Sequence, residues 1–277
     1  MGFRINTNVS SIAAQRSLSS VNRESQSTLS KMSSGTRITK ASDDAAGLAI
    51  SEKLKAKIKS NAQANRNAND GISMVQTAEG GLDEVSNILT RLRELSVQSA
   101  SDTVGDTERG FTDMEYQNLK QEVERIAQVT EFNGTKLLSG EGGPLDFQIG
   151  ANNDAFQDRI SYDTSGQNAK LESLGIAEIG VASKEGAQGA LNTIDSAIEK
   201  VSGQRASLGA IQNRLISTSN NLQITNENLS AANSRIRDVD YAEVSASNAR
   251  NNILGQAGTS VLAQANSQGQ NALRLIS

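Results

Sequence analysis

The chain has 277 residues, a net charge of −4, 36% apolar and only 3% aromatic content, and no tryptophan, cysteine or histidine. Without cysteine there are no disulfides, thiol nucleophiles or thiolate metal sites. Without histidine there is no imidazole base, zinc ligand or catalytic triad. The acidic balance speaks against nucleic-acid binding, and no stretch approaches the ~18 apolar residues of a membrane span, so neither nucleic acid nor membrane is an expected partner.

Residues 5–33 are predicted to form a first helix with Ala14, Leu18, Val21, Ser25, Thr28 and Met32 on one stripe. The opening Met-Gly-Phe-Arg-Ile-Asn has no apolar signal core, so no cleavable secretion signal is expected. Residues 1–40 carry Arg4, Arg16, Arg23, Lys31, Arg37 and Lys40 against a single acid, Glu24. Such a basic face either solvates or meets acids on a neighbouring chain. Gly35 suits a left-handed C-terminal cap, and Ser42 reads as the N-cap of a second helix, with Asp43 and Asp44 in its first turn. No other ligand type clusters near these aspartates, which argues against metal or acid–base chemistry.

The second helix is predicted from Asp44 to about Ser101, roughly 85 Å at ~1.5 Å per residue. Along it Leu54, Ile58, Ala62, Asn65, Ala68, Ile72, Val75, Glu79, Leu82, Ser86, Leu89 and Leu92 recur at alternating three- and four-residue steps. That mean step of about 3.5 keeps one seam facing a partner helix. Gly71, Gly80 and Gly81 each cost about 1 kcal/mol relative to alanine, and in a seam they admit a close neighbouring backbone. A turn around Gly105 leads to a third helix, about 107–129, with Leu119, Val123 and Ile126 on its apolar face.

The middle changes character. Asn133-Gly134 is a turn signal. Gly140, Gly142, Gly143 and Pro144 punctuate a loop, Leu145, Phe147 and Ile149 alternate as a half-buried strand does, and Phe156, Ile160 and Tyr162 suggest a second strand. The glycines around Glu141 are not followed by Gly-Lys-Ser/Thr, so a phosphate-binding loop is not expected. Helical periodicity returns near Ala187 and runs to Ile236 through Leu191, Ile194, Val201, Leu208, Leu215, Leu222 and Leu229. After Asp238 and Asp240 a last stripe carries Val244, Asn251, Leu254, Gly258, Val261, Ala265, Ala272 and Leu275. Its apolar content is thin, so the terminal helices are expected to be marginal alone and to order against other subunits. The fold class is therefore mainly α: an elongated coiled-coil bundle built from both termini, with a small β-hairpin region at about 140–165. The expected domains are 1–42 with 238–277, and 43–237, with no large surface domain.

Several strings resemble bacterial flagellin: Arg4 to Asn8, Leu29 to Arg37, Ala41 to Ser51, Leu89 to Ser101, Glu131 to Gly134, Ser234 to Asp238 and Gln256 to Asn266. They span nearly the whole chain in the family's order. The resemblance implies a structural subunit that polymerises into the flagellar filament, with no enzymatic activity and no cofactor. Terminal helices would line an inner tube, and the long helices and hairpin would form an outer one. It also implies export by the flagellar type III apparatus, a cytosolic chaperone on the C-terminal segment, contacts with filament cap and junction proteins, and a place outside the cell.

The assembly seam read from these stripes comprises Leu18, Val21, Leu82, Leu89, Leu92, Leu208, Leu215, Leu222, Leu254, Val261 and Leu275. By resemblance, Arg91, Leu95 and Glu115 match contacts for the innate receptor Toll-like receptor five, although Leu95 equally suits a seam, and Arg91 and Glu115 a solvated or paired surface. Arg16 to Arg37 overlaps a region resembling the epitope sensed by plants. The alternatives are a hook–filament junction protein, which caps instead of propagating, and a chemoreceptor-like coiled coil. The latter predicts symmetric arms around a hairpin tip and fits the glycine-rich middle poorly.

Overall fold

The computed structural model describes residues 7–274, with side chains to Ser267. In chain order they form α1 (Val9–Ser34), α2 (Ala45–Ser99), α3 (Asp106–Val129), β1 (Glu131–Phe132), β2 (Thr135–Lys136), β3 (Pro144–Gln148), β4 (Arg159–Asp163), α4 (Leu171–Leu174), α5 (Lys184–Arg237) and α6 (Tyr241–Arg274). The mainly helical class with small antiparallel strand pairs agrees with the sequence reading. The chain divides into two compact units, 1–56 with 228–277, and 57–227. These divisions fall inside α2 and α5, whereas the boundaries read from sequence coincide with helix breaks.

In the first unit, Thr7 and Asn8 precede α1, so the helix starts later than residue 5; residues 5 and 6 lie outside the described part. Asn8 is the cap, its Oδ1 accepting the N–H of Ser11 at 3.0 Å. Gly35 ends α1 at φ 67°, ψ 10°, the left-handed conformation that side-chain-bearing residues avoid. The next connector corrects one expectation. Asp44, and not Ser42, caps α2, its Oδ1 accepting the N–H of Gly47 at 2.8 Å. Asp43 is spent on closing the loop: one carboxylate oxygen accepts the N–H of Thr39 and of Lys40, each at 3.0 Å, and the Thr39 hydroxyl at 2.9 Å. That closure places the helix start two residues beyond the expected cap.

Behind the loop, Ile38 is buried, and a side chain at Gly47 would lie 2.9 Å from its Cδ1. The connector also pairs with the segment entering α6. Arg37 N–H donates to the Arg237 carbonyl at 2.7 Å, Val239 N–H donates to the Gly35 carbonyl at 3.1 Å, and Thr36 bridges Asp238. Arg237 forms an ion pair with Glu52, and Ser51 donates to Asn233 at 2.9 Å.

In the second unit α2, α3 and α5 enclose a core. Leu82, Val85, Leu89 and Leu92 from α2, Tyr116 and Val123 from α3, and Ile194, Val201, Leu208 and Leu215 from α5 are fully buried. Of the three α2 glycines in this unit, two serve this packing, though they make room for side chains and not for a backbone. A Cβ at Gly71 would sit 3.1 Å from the Phe147 ring, and one at Gly81 would sit 2.7 Å from Leu138 Cδ1, while Gly80 faces open space. Buried Lys120 on α3 donates to the carbonyls of Ala177 (2.7 Å) and Ile179 (2.8 Å), and Asp113 accepts the Val181 N–H at 2.8 Å. Together they pin the segment between α4 and α5. Burial pulls the Lys120 ammonium below the usual lysine pKa. Helix α4 is a single turn, too short for a periodic pattern to reveal.

Asn133 (φ 50°) and Gly134 (φ 79°) form the β1–β2 turn with positive φ at both positions, as a type I′ turn requires. Nothing lies within 4 Å of where a Gly134 side chain would start, so a substitution there tests backbone strain alone. Gly134→Ala is expected to destabilise the protein by about 1–2 kcal/mol, measured by urea denaturation. In the second hairpin Leu145 faces Tyr162, and Phe147 faces Ile160. Burial pushes the Tyr162 phenol up to about 12. Ile149 is buried just beyond β3, but Phe156 lies outside β4 and is 94% exposed. Asp154 and Asp158 turn the chain before the second strand begins.

Six carboxylates, the half-buried Glu122 and the exposed Asp43, Asp102, Glu141, Asp163 and Asp195, are held below their ordinary pKa values. For Asp43 the Lys40 N–H is the largest cause. Lys184, Arg125, Lys170, the Ser165 hydroxyl and Arg93 play that part for the others, in the same order. A depressed carboxylate contributes stability above its unfolded pKa and loses it as pH falls through the folded one. The melting temperature of the monomer is therefore expected to fall once pH drops below the ordinary 4.5 of Glu and 3.8 of Asp, and to continue falling until the lowered values are passed. Calorimetry across pH 7 to pH 2 checks this; a flat profile below pH 4 would refute it.

Candidate assembly surfaces

Helices α1 and α6 pack antiparallel. Asn8 Nδ2 donates to the Ala265 carbonyl at 2.8 Å near one end, and the Tyr241 hydroxyl donates to the Met32 carbonyl at 2.7 Å at the other. Between them Leu18 faces Gly258, where a Cβ would stand 3.2 Å from Leu18 Cδ1. Leu18 and Val21 are half-buried in this seam, with Ala14 and Ser25, and Thr28 meets Asn251 at 3.4 Å. Hydroxyls, amides, alanine and glycine fill most other seam positions. Such a contact removes little apolar surface from water, so the pair gains little hydrophobic stabilisation on its own.

The structure corrects the stripe read for α6. Leu254 and Val261 are exposed, and the inward positions between Asn251 and Ala265 fall to Gly255, Gly258 and Leu262. Gly258 leaves room for Leu18, and the seam steps 251, 255, 258, 262, 265, one residue away from the two larger side chains. Leu254 and Val261 thus form an outward apolar flank with Ile253, as Val9, Ile12 and Leu29 do on α1. Leu275 lies outside the described residues. Leu82, Leu89, Leu92, Leu208 and Leu215 are wholly inside the second unit's own core, and Leu222 is half-buried.

Arg91 and Glu115 are brought together on the surface of α2 and α3. Arg91 Nη2 and Nε lie 2.9 and 3.1 Å from Glu115 Oε1, and Nη1 lies 2.9 Å from Glu94. Glu94 first, then Glu115, raises the guanidinium pKa. Leu95 is buried at 1% exposure, so it supports the helix from below and offers no surface beside the pair. On the other side of α2, Arg93 pairs with Asp195 of α5 at 2.6 Å. Phe111 and Met114, which no sequence pattern above singles out, are exposed, as is Phe156, which the sequence assigns to a strand. The signal for the first two was the three-residue spacing of large apolar side chains on an otherwise polar helix face.

Among the described residues no group of three or more acidic, histidine or cysteine side chains could hold a metal ion, and no helix is long and apolar enough to cross a membrane. The profile of the bacterial flagellin N-terminal helical region matches residues 5–142, and that of the C-terminal helical region matches residues 191–276. A flagellin of Halalkalibacterium halodurans is 44% identical over 272 residues, covering 98% of this chain and 99% of that protein. A flagellar filament core protein of Brachyspira hyodysenteriae is 44% identical over 285 residues, covering 98% and 99%. The crystal structure of Bacillus cereus flagellin superposes with a TM-score of 0.51 at 31% identity, over 57% of this chain and 88% of that one. With matches to both terminal regions and near full-length identity of this order, the chain belongs to the bacterial flagellin family, whose members are structural proteins and not enzymes.

Proposed function

We propose that this chain is a structural subunit that polymerises into the bacterial flagellar filament for swimming motility. The observation that carries the reading is the α1–α6 pair: a thin, largely polar seam flanked by outward apolar residues on both helices. A pair of this kind is marginal in one copy and gains its stability when further copies cover the flanks. Repeated heterologous contacts that do not close a ring generate an open helical tube. The name of the Brachyspira relative, a filament core protein, supports the same role. The reading places the protein in the filament outside the cell, delivered by the flagellar export apparatus with a chaperone on its C-terminal segment, and bounded by cap and junction proteins.

Electron microscopy of seeded protein tests it, comparing the full chain with one lacking 1–42 and 238–277. Long tubes from the full chain alone are the expected result. Monomers or short caps from the full chain under every seeding condition would refute it and favour a hook–filament junction protein. A second role as a ligand of Toll-like receptor five is supported by the exposed Arg91–Glu115 pair. In that role Leu95 acts by packing beneath α2. Cells reporting receptor activation, treated with purified monomer, provide the test, and silence at saturating protein would rule the role out.

A further inference from the structure

Two exposed patches within residues 57–227 are in no ion pair among the described residues and complement each other. The first lies between the β3–β4 turn and α5. Asp154 Oδ1 accepts the N–H groups of Phe156 (2.9 Å) and Gln157 (2.8 Å), and buried Asp158 accepts the Asp154 N–H at 3.0 Å. This bracing holds Phe156 in water at 94% exposure beside a cleft of about 470 Å³, lined also by Arg159, Ile160 and Arg214. Arg159 donates to Gln148 Oε1 at 3.3 Å and to Asn153, and among the described residues neither arginine is paired with a carboxylate. In a chain of net charge −4, two arginines outside any ion pair among the described residues, beside an outstanding phenylalanine, form an unusual surface.

The second patch is a ridge on α3. Glu108, Phe111 and Met114 follow one another at three-residue steps and so share a face. Phe111 is 63% and Met114 58% exposed, and Glu108 is exposed and in no ion pair among the described residues. An apolar helix ridge bearing an acid matches a cleft that offers an aromatic ring and two arginines, the geometry of a helix laid into a groove. Phenylalanine and methionine also suit each other through ring and sulfur contacts.

We propose that the Phe156–Arg159–Arg214 cleft of one copy receives the Glu108–Phe111–Met114 ridge of the next. Cleft and ridge are different surfaces, so a joined pair still presents one free cleft and one free ridge. Repeated with a rotation that does not close a ring, this contact propagates as an open helix. This inference rests on the filament reading above, and it assigns to that reading one specific contact between subunits.

The test is elongation of the full chain from its own sonicated filament seeds, followed by light scattering and electron microscopy. Phe156→Ser, Arg214→Glu and Glu108→Arg are each made in the full chain, with monomer melting as a control on folding. Each variant is expected to elongate at least tenfold more slowly than the parent with an unchanged melting temperature. An equimolar mixture of the Arg214→Glu and Glu108→Arg proteins is expected to elongate several-fold faster than either alone, because each cleft then finds a ridge of opposite charge. Parental rates for Phe156→Ser and Arg214→Glu, or a mixture no faster than its components, would overturn the pairing. Failure of the parent chain to elongate from its seeds would instead overturn the filament reading itself.

Discussion

Replacing Leu18 and Val21 together by aspartate is expected to abolish filament growth while leaving the core of residues 57–227 folded. Both side chains are half-buried in the α1 seam, and Leu18 fills the space left by Gly258. Fully burying such a side chain contributes about 1.5–3 kcal/mol, so two half-buried ones contribute on the order of 2 kcal/mol together. Two carboxylates in their place lose that burial and add a desolvation cost. In a contact held mostly by small and polar residues, a loss of this size removes most of what pairs α1 with α6. Leu82, Leu89 and the other core leucines belong to the separate compact unit and do not sense the change. Seeded elongation and amide hydrogen exchange read the two effects independently. Growth at the parental rate, or lost protection in α3 and the middle of α5, would sink the argument.

The long helices were legible because a mean step of about 3.5 residues survives for many turns, and tertiary packing rarely overrides so extended a pattern. The β1–β2 turn was legible for a different reason: Asn-Gly is the dipeptide that tolerates positive φ at two successive positions. Failures clustered where two neighbouring residues compete for one role. Ser42, Asp43 and Asp44 are all good caps by type, and which one caps is decided by the loop, since Asp43 is drawn back to Thr39 and Lys40. Likewise Leu254 and Gly255 lie one residue apart, and hydrophobicity favours the leucine for the seam. The fit of Leu18 against Gly258 turns the other face inward instead, and Gly255 comes with it. Hydrophobic patterning reports where apolar surface could be buried, but not which of two adjacent faces a small residue opens for a partner. The surface position of Arg91 and Glu115 was legible, but their direct ion pair depends on α3 lying along α2, a contact that periodicity within either helix does not encode.

Leu208→Ala is expected to cost the protein about 2–5 kcal/mol, and Leu222→Ala no more than about 1–2 kcal/mol, although the two leucines occupy equivalent steps of one repeat. Leu208 is fully buried, as are Leu82, Leu89 and Val201, so truncation removes its contacts and leaves a void that the packed core refills only in part. Leu222 is half-buried beside Thr225 and Asn221, where water can occupy the vacated space. For a unit of this size 1 kcal/mol corresponds to roughly 2–4 °C, so Leu208→Ala should lower the melting temperature by about 5–15 °C and Leu222→Ala by a few degrees. Equal shifts would mean that the repeat, and not local burial, sets the contribution of each leucine. The same pair separates folding from assembly. If the core leucines act only within their own chain, Leu208→Ala filaments grown below the lowered melting temperature should elongate at close to the parental rate. Slow growth there, despite a folded monomer, would show that the interior of this unit is rearranged when copies join.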